Sequence, residues 1–360
     1  MTAVDPIDRW LRAVRELKGS DLLLVAGRPP MVRAQGSLHA VDGVDLSPDA
    51  IASATESLIP ARLKGQFQGG DAIDLAFSKG ELGRFRMNLH LERGRVAAAI
   101  RALPTAVPAL GGLGFSHDIT ALARLPRGLL LVCGPTGSGK TTTVAAIVGE
   151  INANYDRHIV TIEDPVEYEH AHGRCVVEQV EIGVDAPSFP VALRAALRQA
   201  PDVIVIGEMR DTESIRIAVT AAETGHLVIA TVHAPDVTGA VARVADAFPA
   251  ERQNTIRQEL AMGLAAILAQ TLVPAMDGGM VPAAELLVVS YGARQHIRKN
   301  ALQNLHQEMT TTRRLGSFTM EESLAALVRA ERLERSTAAL RAAHPEELDL
   351  LLSGRSAPRA

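Results

Sequence analysis

A chain of 360 residues has room for two domains. Its charged fraction is 22% and its net charge only -4, which excludes the basic field on which phosphate backbones are bound and so argues against nucleic acid as a partner. Two cysteines, Cys133 and Cys175, exclude a disulfide framework and a four-cysteine zinc centre, and fit a reducing cytoplasm.

Residues 6–18 predict a short amphipathic helix closed by Gly19, with Trp10 as its core anchor. The strand-like "DLLLVA" follows, then a turn at "GRPP". "DAIDLAF", "RFRMNLHL" and "RVAAAIRAL" are further strands joined by turn residues such as "SKGELG", so residues 1–103 predict an α+β domain with a largely antiparallel sheet. "LPTAVPALGGLG" has the proline and glycine content of a connector, placed over 104–117. From 118 to 289 the pattern becomes α/β: "GLLLV", "HIVTIE", "DVIVIG" and "LVIATV" are continuous apolar runs of the kind buried in parallel sheets. Residues 290–352 predict helices, "TMEESLAALVRAERL" most clearly, and 353–360 a disordered tail. Neither a secretory signal nor a membrane span is expected: the N-terminal residues are charged throughout, and the apolar window "LAMGLAAILAQTLVPAM" is broken by Gln270 and Pro274.

The chemistry begins at "GPTGSGKTT", which satisfies G-x-x-x-x-G-K-[ST] between a predicted strand and a predicted helix. Gly134, Gly137 and Gly139 would let the loop that they form with Pro135, Thr136 and Ser138 point its backbone N–H groups into one concavity. Lys140 would reach the terminal phosphates of ATP, and Thr141, followed by Thr142, would offer a hydroxyl to Mg²⁺. "HIVTIEDPVEYEH" ends an apolar strand in Glu163 and Asp164, carboxylates able to orient a water for attack on a γ-phosphate. "PDVIVIGEMRD" ends another in Glu208, a candidate metal ligand, base, or both, although Gly207 stands where a Walker B strand usually has its aspartate. Spacing leaves open which of Glu163 and Glu208 is the base. His226 and His233 flank the strand "LVIATV", and either could report on a phosphate oxygen. His170, His172 and Cys175 in "EHAHGRC" have no fourth ligand in reach and are read as a turn, not a metal centre.

In order, "GPTGSGKTT", "TIEDPVEY", "VIGEMRDTESIRIAVTAAETGH" and "TVHAPD" resemble the Walker A, Asp box, atypical Walker B and His box of the secretion ATPase superfamily, most closely the PilT-like retraction ATPases of type IV pili. The resemblance covers roughly residues 6–340. It implies a PAS-like N-terminal domain, a RecA-like ATPase core, and a homohexameric ring in the cytoplasm. Such a ring works beneath an inner-membrane pilus platform protein, hydrolyses ATP to retract the pilus, and in some systems works beside a paralogous retraction ATPase. Carried residue by residue, it implies phosphate and Mg²⁺ roles for Lys140 and Thr141, catalytic roles for Glu163, Glu208 and His233, and phosphate-directed arginines at Arg86 in "RFRMN" and at Arg101. The chain departs from the family pattern in "SDLLL", in "APDV" after the His box, and in "GARQHIRK" (292–299), where retraction ATPases carry a segment associated with retraction. "VEIGVDAPSF" and "LRQAPDVIVIGE" look more like the PilU-like accessory retraction ATPases. The alternatives are therefore an accessory ring of that kind, or a pilus assembly or type II secretion ATPase of the same superfamily.

Overall fold

A computed structural model describes residues 5–68 and 70–354, so most of the predicted tail, 355–360, lies outside the described residues. The chain divides into two compact units, Met1–Ala106 with Pro165–Tyr168, and Val107–Asp164 with Glu169–Ala360.

In the first unit, α1 (Pro6–Glu16) starts where Asp5 accepts the Ile7 N–H and Pro6 occupies a position that needs no N–H. Ile7, Trp10, Leu11 and Val14 fall on one face and are buried, and the Trp10 indole donates to Asp42 at 2.9 Å. Six strands form an antiparallel sheet: β1 (Asp21–Leu24), β2 (Met31–Ala34), β3 (Ser37–Ala40), β4 (Ile73–Ser78), β5 (Arg84–Glu92) and β6 (Arg95–Ala102), in the order β3-β2-β1-β6-β5-β4. Alternation decides which face each residue takes. Phe85, Met87 and Leu89 of β5 enter the core, so Arg84, Arg86 and Asn88 take the other face. Two helices that the sequence reading did not anticipate, α2 (Pro48–Glu56) and α3 (Ala61–Gln68), complete the unit.

The second unit is built on seven strands: β7 (Gly128–Cys133), β8 (His158–Glu163), β9 (Val176–Glu181), β10 (Val203–Ile206), β11 (Leu227–Val232), β12 (Leu264–Pro274) and β13 (Met280–Val288). Their order is β13-β12-β7-β11-β10-β8-β9, and every pairing is parallel except β12 with β13. The apolar runs are continuous because both faces are covered. Leu129, Leu131 and Cys133 of β7 pack on one side with residues of α6 (Thr212–Glu223) and α7 (Val237–Asp246). Leu130 and Val132 pack on the other side with α4 (Lys140–Asn154). The segment read as a connector is partly structured: Leu110 is buried among Leu122, Ala146 and Ile147 of the second unit. The apolar window around Gln270 is β12, running out of α8 (Ala250–Gly263), and the short α5 (Phe189–Ala196) lies between β9 and β10. Beyond β13 the described residues are mainly helical: α9 (Tyr291–Arg298), α10 (Leu305–Thr311), α11 (Met320–Arg329), α12 (Arg335–Arg341) and α13 (Pro345–Leu352). Among the described residues, no helix is long and apolar enough to cross a membrane.

Candidate nucleotide site

β11 stands between β7 and β10, so the strand that delivers the phosphate loop and the strand that ends in Glu208 are each one strand away from the one that ends at His233. The C-terminal ends of these parallel strands are where an open α/β sheet binds its ligands.

The loop between β7 and α4 depends on glycine. Gly134, Gly137 and Gly139 adopt φ of 153°, 78° and 87°, a region that side-chain-bearing residues rarely occupy. A Cβ on Gly134 would also lie 2.2 Å from the Gln270 carbonyl and 2.5 Å from the Ser138 hydroxyl, so this position excludes even alanine. Pro135, Thr136 and Gly137 are exposed at the tip, Ser138 and Lys140 are buried, and Thr141 and Thr142 are half-buried on the first turn of α4. The Lys140 ammonium donates to the carbonyls of Gly134 and Pro135, each at 3.0 Å. Burial pulls the Lys140 pKa below its ordinary value, against the attraction of Glu208. The Ser138 hydroxyl is buried without a hydrogen-bond partner, and a phosphate oxygen is the kind of acceptor that would satisfy it.

Glu208 lies just past β10 in a cluster of charges. One carboxylate oxygen pairs with Arg210 at 2.6 Å and the other stands 3.2 Å from the Nε2 of His233. Burial pushes the Glu208 carboxyl up, but Arg210 and His233 together outweigh it and hold it below the ordinary glutamate range. Glu163, at the end of β8, accepts the Thr161 hydroxyl at 2.7 Å and the Gln179 amide at 3.2 Å. Gly207, where a Walker B strand usually has its aspartate, packs closely on β8. A Cβ there would meet the Glu163 Cα and the Ile162 carbonyl at 3.3 Å, a tight fit that a residue without a side chain avoids, and the Gly207 N–H donates to the Ile162 carbonyl at 2.8 Å. The Gly207 carbonyl in turn accepts the Thr231 hydroxyl from β11.

Sequence reasoning missed Gln270. It appeared only as a break in an apolar window, yet it is a buried amide in the middle of β12 whose Nε2 donates to the Ser138 carbonyl at 2.7 Å. The isolated amide inside an apolar strand was the available signal, because burying it without a partner would be costly. His226 turns out to be structural in its contacts: its Nδ1 lies 3.0 Å from the Ala221 carbonyl at the end of α6. His172 accepts the Val177 N–H, and the Cys175 thiol donates to the Ile151 and Tyr155 carbonyls.

Arg86 and Arg101 belong to the first unit, where they are direct cross-strand partners on β5 and β6. Like charges so placed repel, and each has an acid beside it: Arg86 pairs with Asp74 at 3.1 Å and Arg101 with Asp21 at 2.9 Å. Arg101 remains largely exposed, with 67% of its side chain accessible.

A glycine-rich phosphate loop on a parallel sheet, with a strand inserted between it and an acidic strand end, defines a RecA-like P-loop ATPase core. The chain belongs to the Type II/IV secretion system protein family, which matches residues 95–352. It is 37% identical over 327 residues to the type IV pilus retraction ATPase PilT of Pseudomonas aeruginosa, an alignment spanning 91% of this chain and 95% of that protein. It is 38% identical to the type IV pilus ATPase PilU of the same organism, over 88% of this chain and 83% of that one. Its fold superposes on the crystal structure of the pilus retraction motor PilT with bound ADP with a TM-score of 0.88 and 38% identity, covering 96% of this chain and 99% of that one. The chain is thus an ATPase of the secretion superfamily, in the branch that holds PilT and PilU.

Proposed function

We propose that this chain hydrolyses ATP as a homohexameric ring to power type IV pilus retraction and the twitching motility that depends on it, acting at the cytoplasmic face of the inner membrane on a pilus platform protein. The observation that carries the reading is the union of the phosphate loop with the Glu208, Arg210 and His233 cluster, in a chain that aligns with PilT over nine-tenths of its length.

The loop residues fit a nucleotide. Gly134 to Gly139 would cradle its phosphates with backbone N–H groups, and Ser138 supplies a hydroxyl with no other partner. Lys140 exchanges two loop carbonyls for phosphate oxygens. Thr141 and Glu208 would hold Mg²⁺, which supplies positive charge against the phosphates. Phosphoryl transfer of this kind depends chiefly on positioning and electrostatic stabilisation. Glu208, held ionised and aimed by Arg210 and His233, orients the attacking water. Glu163 supports it from the adjacent strand, and His233 links the state of Glu208 to the end of β11. Arg86 and Arg101 act as phosphate-directed cations that couple the N-terminal sheet to turnover.

Nearly equal identity to PilT and PilU favours a second reading, an accessory ring that works beside a paralogous motor. Steady-state ATP turnover by the purified protein separates the two. The motor reading expects turnover that Glu208→Gln lowers by at least about a hundredfold while ATP binding survives. A wild-type protein that binds ATP but does not turn it over would favour the accessory ring.

A further inference from the structure

On the C-terminal helices, away from the phosphate loop in sequence, three chain segments bring together His306 of α10, Glu321 of α11 and Glu347 of α13. One ligand atom from each lies within 4.8 Å of the others. His306 and Glu347 are in contact, Nε2 to carboxylate oxygen at 2.8 Å, and Glu347 also accepts the Thr319 hydroxyl at 3.2 Å. Glu321 is the exceptional member. It is wholly buried, one of its oxygens accepts the His344 N–H at 2.8 Å, and the other is buried with no hydrogen-bond partner. The first turn of α11 accounts for a carboxylate at this position. It does not account for an orphaned carboxylate oxygen in the interior, which costs several kcal/mol unless a partner is supplied. His344 stacks on His306 with ring centroids 4.1 Å apart, yet neither imidazole hydrogen-bonds the orphaned Glu321 oxygen.

We infer that His306, Glu321 and Glu347 form a binding site for a divalent transition-metal ion that fastens α10, α11 and α13 to one another. One imidazole nitrogen and two carboxylate oxygens form a donor set that suits zinc or manganese, whereas calcium and magnesium prefer all-oxygen sets. Tetrahedral ligands about 2.1 Å from zinc stand about 3.4 Å apart, so rotation of the partly exposed His306 and Glu347 side chains closes the set, with water in the fourth position. The site is separate from the phosphate loop, and its role is structural. It stabilises the fold by joining segments that are 41 positions apart between His306 and Glu347.

The test uses the full chain, freed of metal by a chelator and titrated with zinc or manganese by calorimetry, with melting temperature followed in parallel. A Glu208→Gln background removes the carboxylate that would hold a cation at the nucleotide site. The expected result is one ion per chain, a rise in melting temperature on its addition, and affinity lowered at least about tenfold by His306→Gln and by Glu321→Gln. If Glu321→Gln folds poorly, Glu347→Gln serves in its place. Absence of saturable uptake by either ion, or uptake that the His306 and Glu347 variants leave unchanged, overturns the inference.

Discussion

The phosphate loop and the arginine face of the N-terminal sheet, both proposed to meet phosphate, are held in opposite ways. The loop is fixed by its backbone: three glycines at positive φ, a helix beginning at Lys140, and a buried amide from Gln270 beneath Ser138. The arginine face is held by side chains, Arg86 on Asp74 and Arg101 on Asp21, at exposures where such pairs contribute little to stability. A site made of backbone cannot be altered without altering the fold. One made of exposed ion pairs can change partners during a cycle at little cost.

Lys140→Ala is the most severe way to break the loop, because Lys140 is the buried cation at its base. ATP turnover should fall below a tenth of wild type, and a higher residual rate would remove the lysine from the mechanism. Gly134→Ala is next. The new Cβ collides with Gln270, so the variant should lose about 2 kcal/mol or more of stability together with nucleotide binding, both readable by thermal unfolding with and without ADP.

Glu285 of β13 sharpens the contrast, since it shows what an acid costs where exposure cannot relieve it. Burial pushes its carboxyl from the ordinary 4.5 up to about 7, with Asp236 and Glu321 acting in the same direction, and the Val237 N–H and His306 opposing. The folded protein therefore holds a proton that the unfolded chain releases. Stability from this group is complete below about pH 4.5 and is lost as pH rises through 7, by about 3 kcal/mol in all. Glu285→Gln, which keeps an acceptor for Val237, should flatten that fall and leave the variant more stable than wild type at pH 8; urea unfolding across pH 5 to 8 in metal-free buffer reads it. The smallest effect belongs to Arg101→Ala. Stability should change by less than about 1 kcal/mol, while turnover falls more than ATP affinity, and an unchanged turnover number would confine Arg101 to its pair with Asp21.

The same contrast explains what could be read from the sequence. Loop and strand ends were legible because their chemistry is local: β7, β8, β10 and β11 are unbroken apolar runs, and each ends at or beside a motif residue. β12 was missed because α8 runs directly into it and because the amide nitrogen of Gln270, read as an interruption, finds its partner in Ser138, 132 positions away. The tight packing of Gly207 against the Glu163 backbone follows from the paired register of β8 and β10, which no local pattern reveals. His306, Glu321 and Glu347 show no spacing pattern at all, since three separate helices supply them.

The claim that hydrolysis at Glu208 drives retraction is tested most directly by counting surface pili in a strain lacking this gene, complemented with wild type or with Glu208→Ala. The account predicts excess pili and lost surface motility in the deletion strain, restored by wild type and not by the variant. Bald cells, or normal piliation, would contradict it.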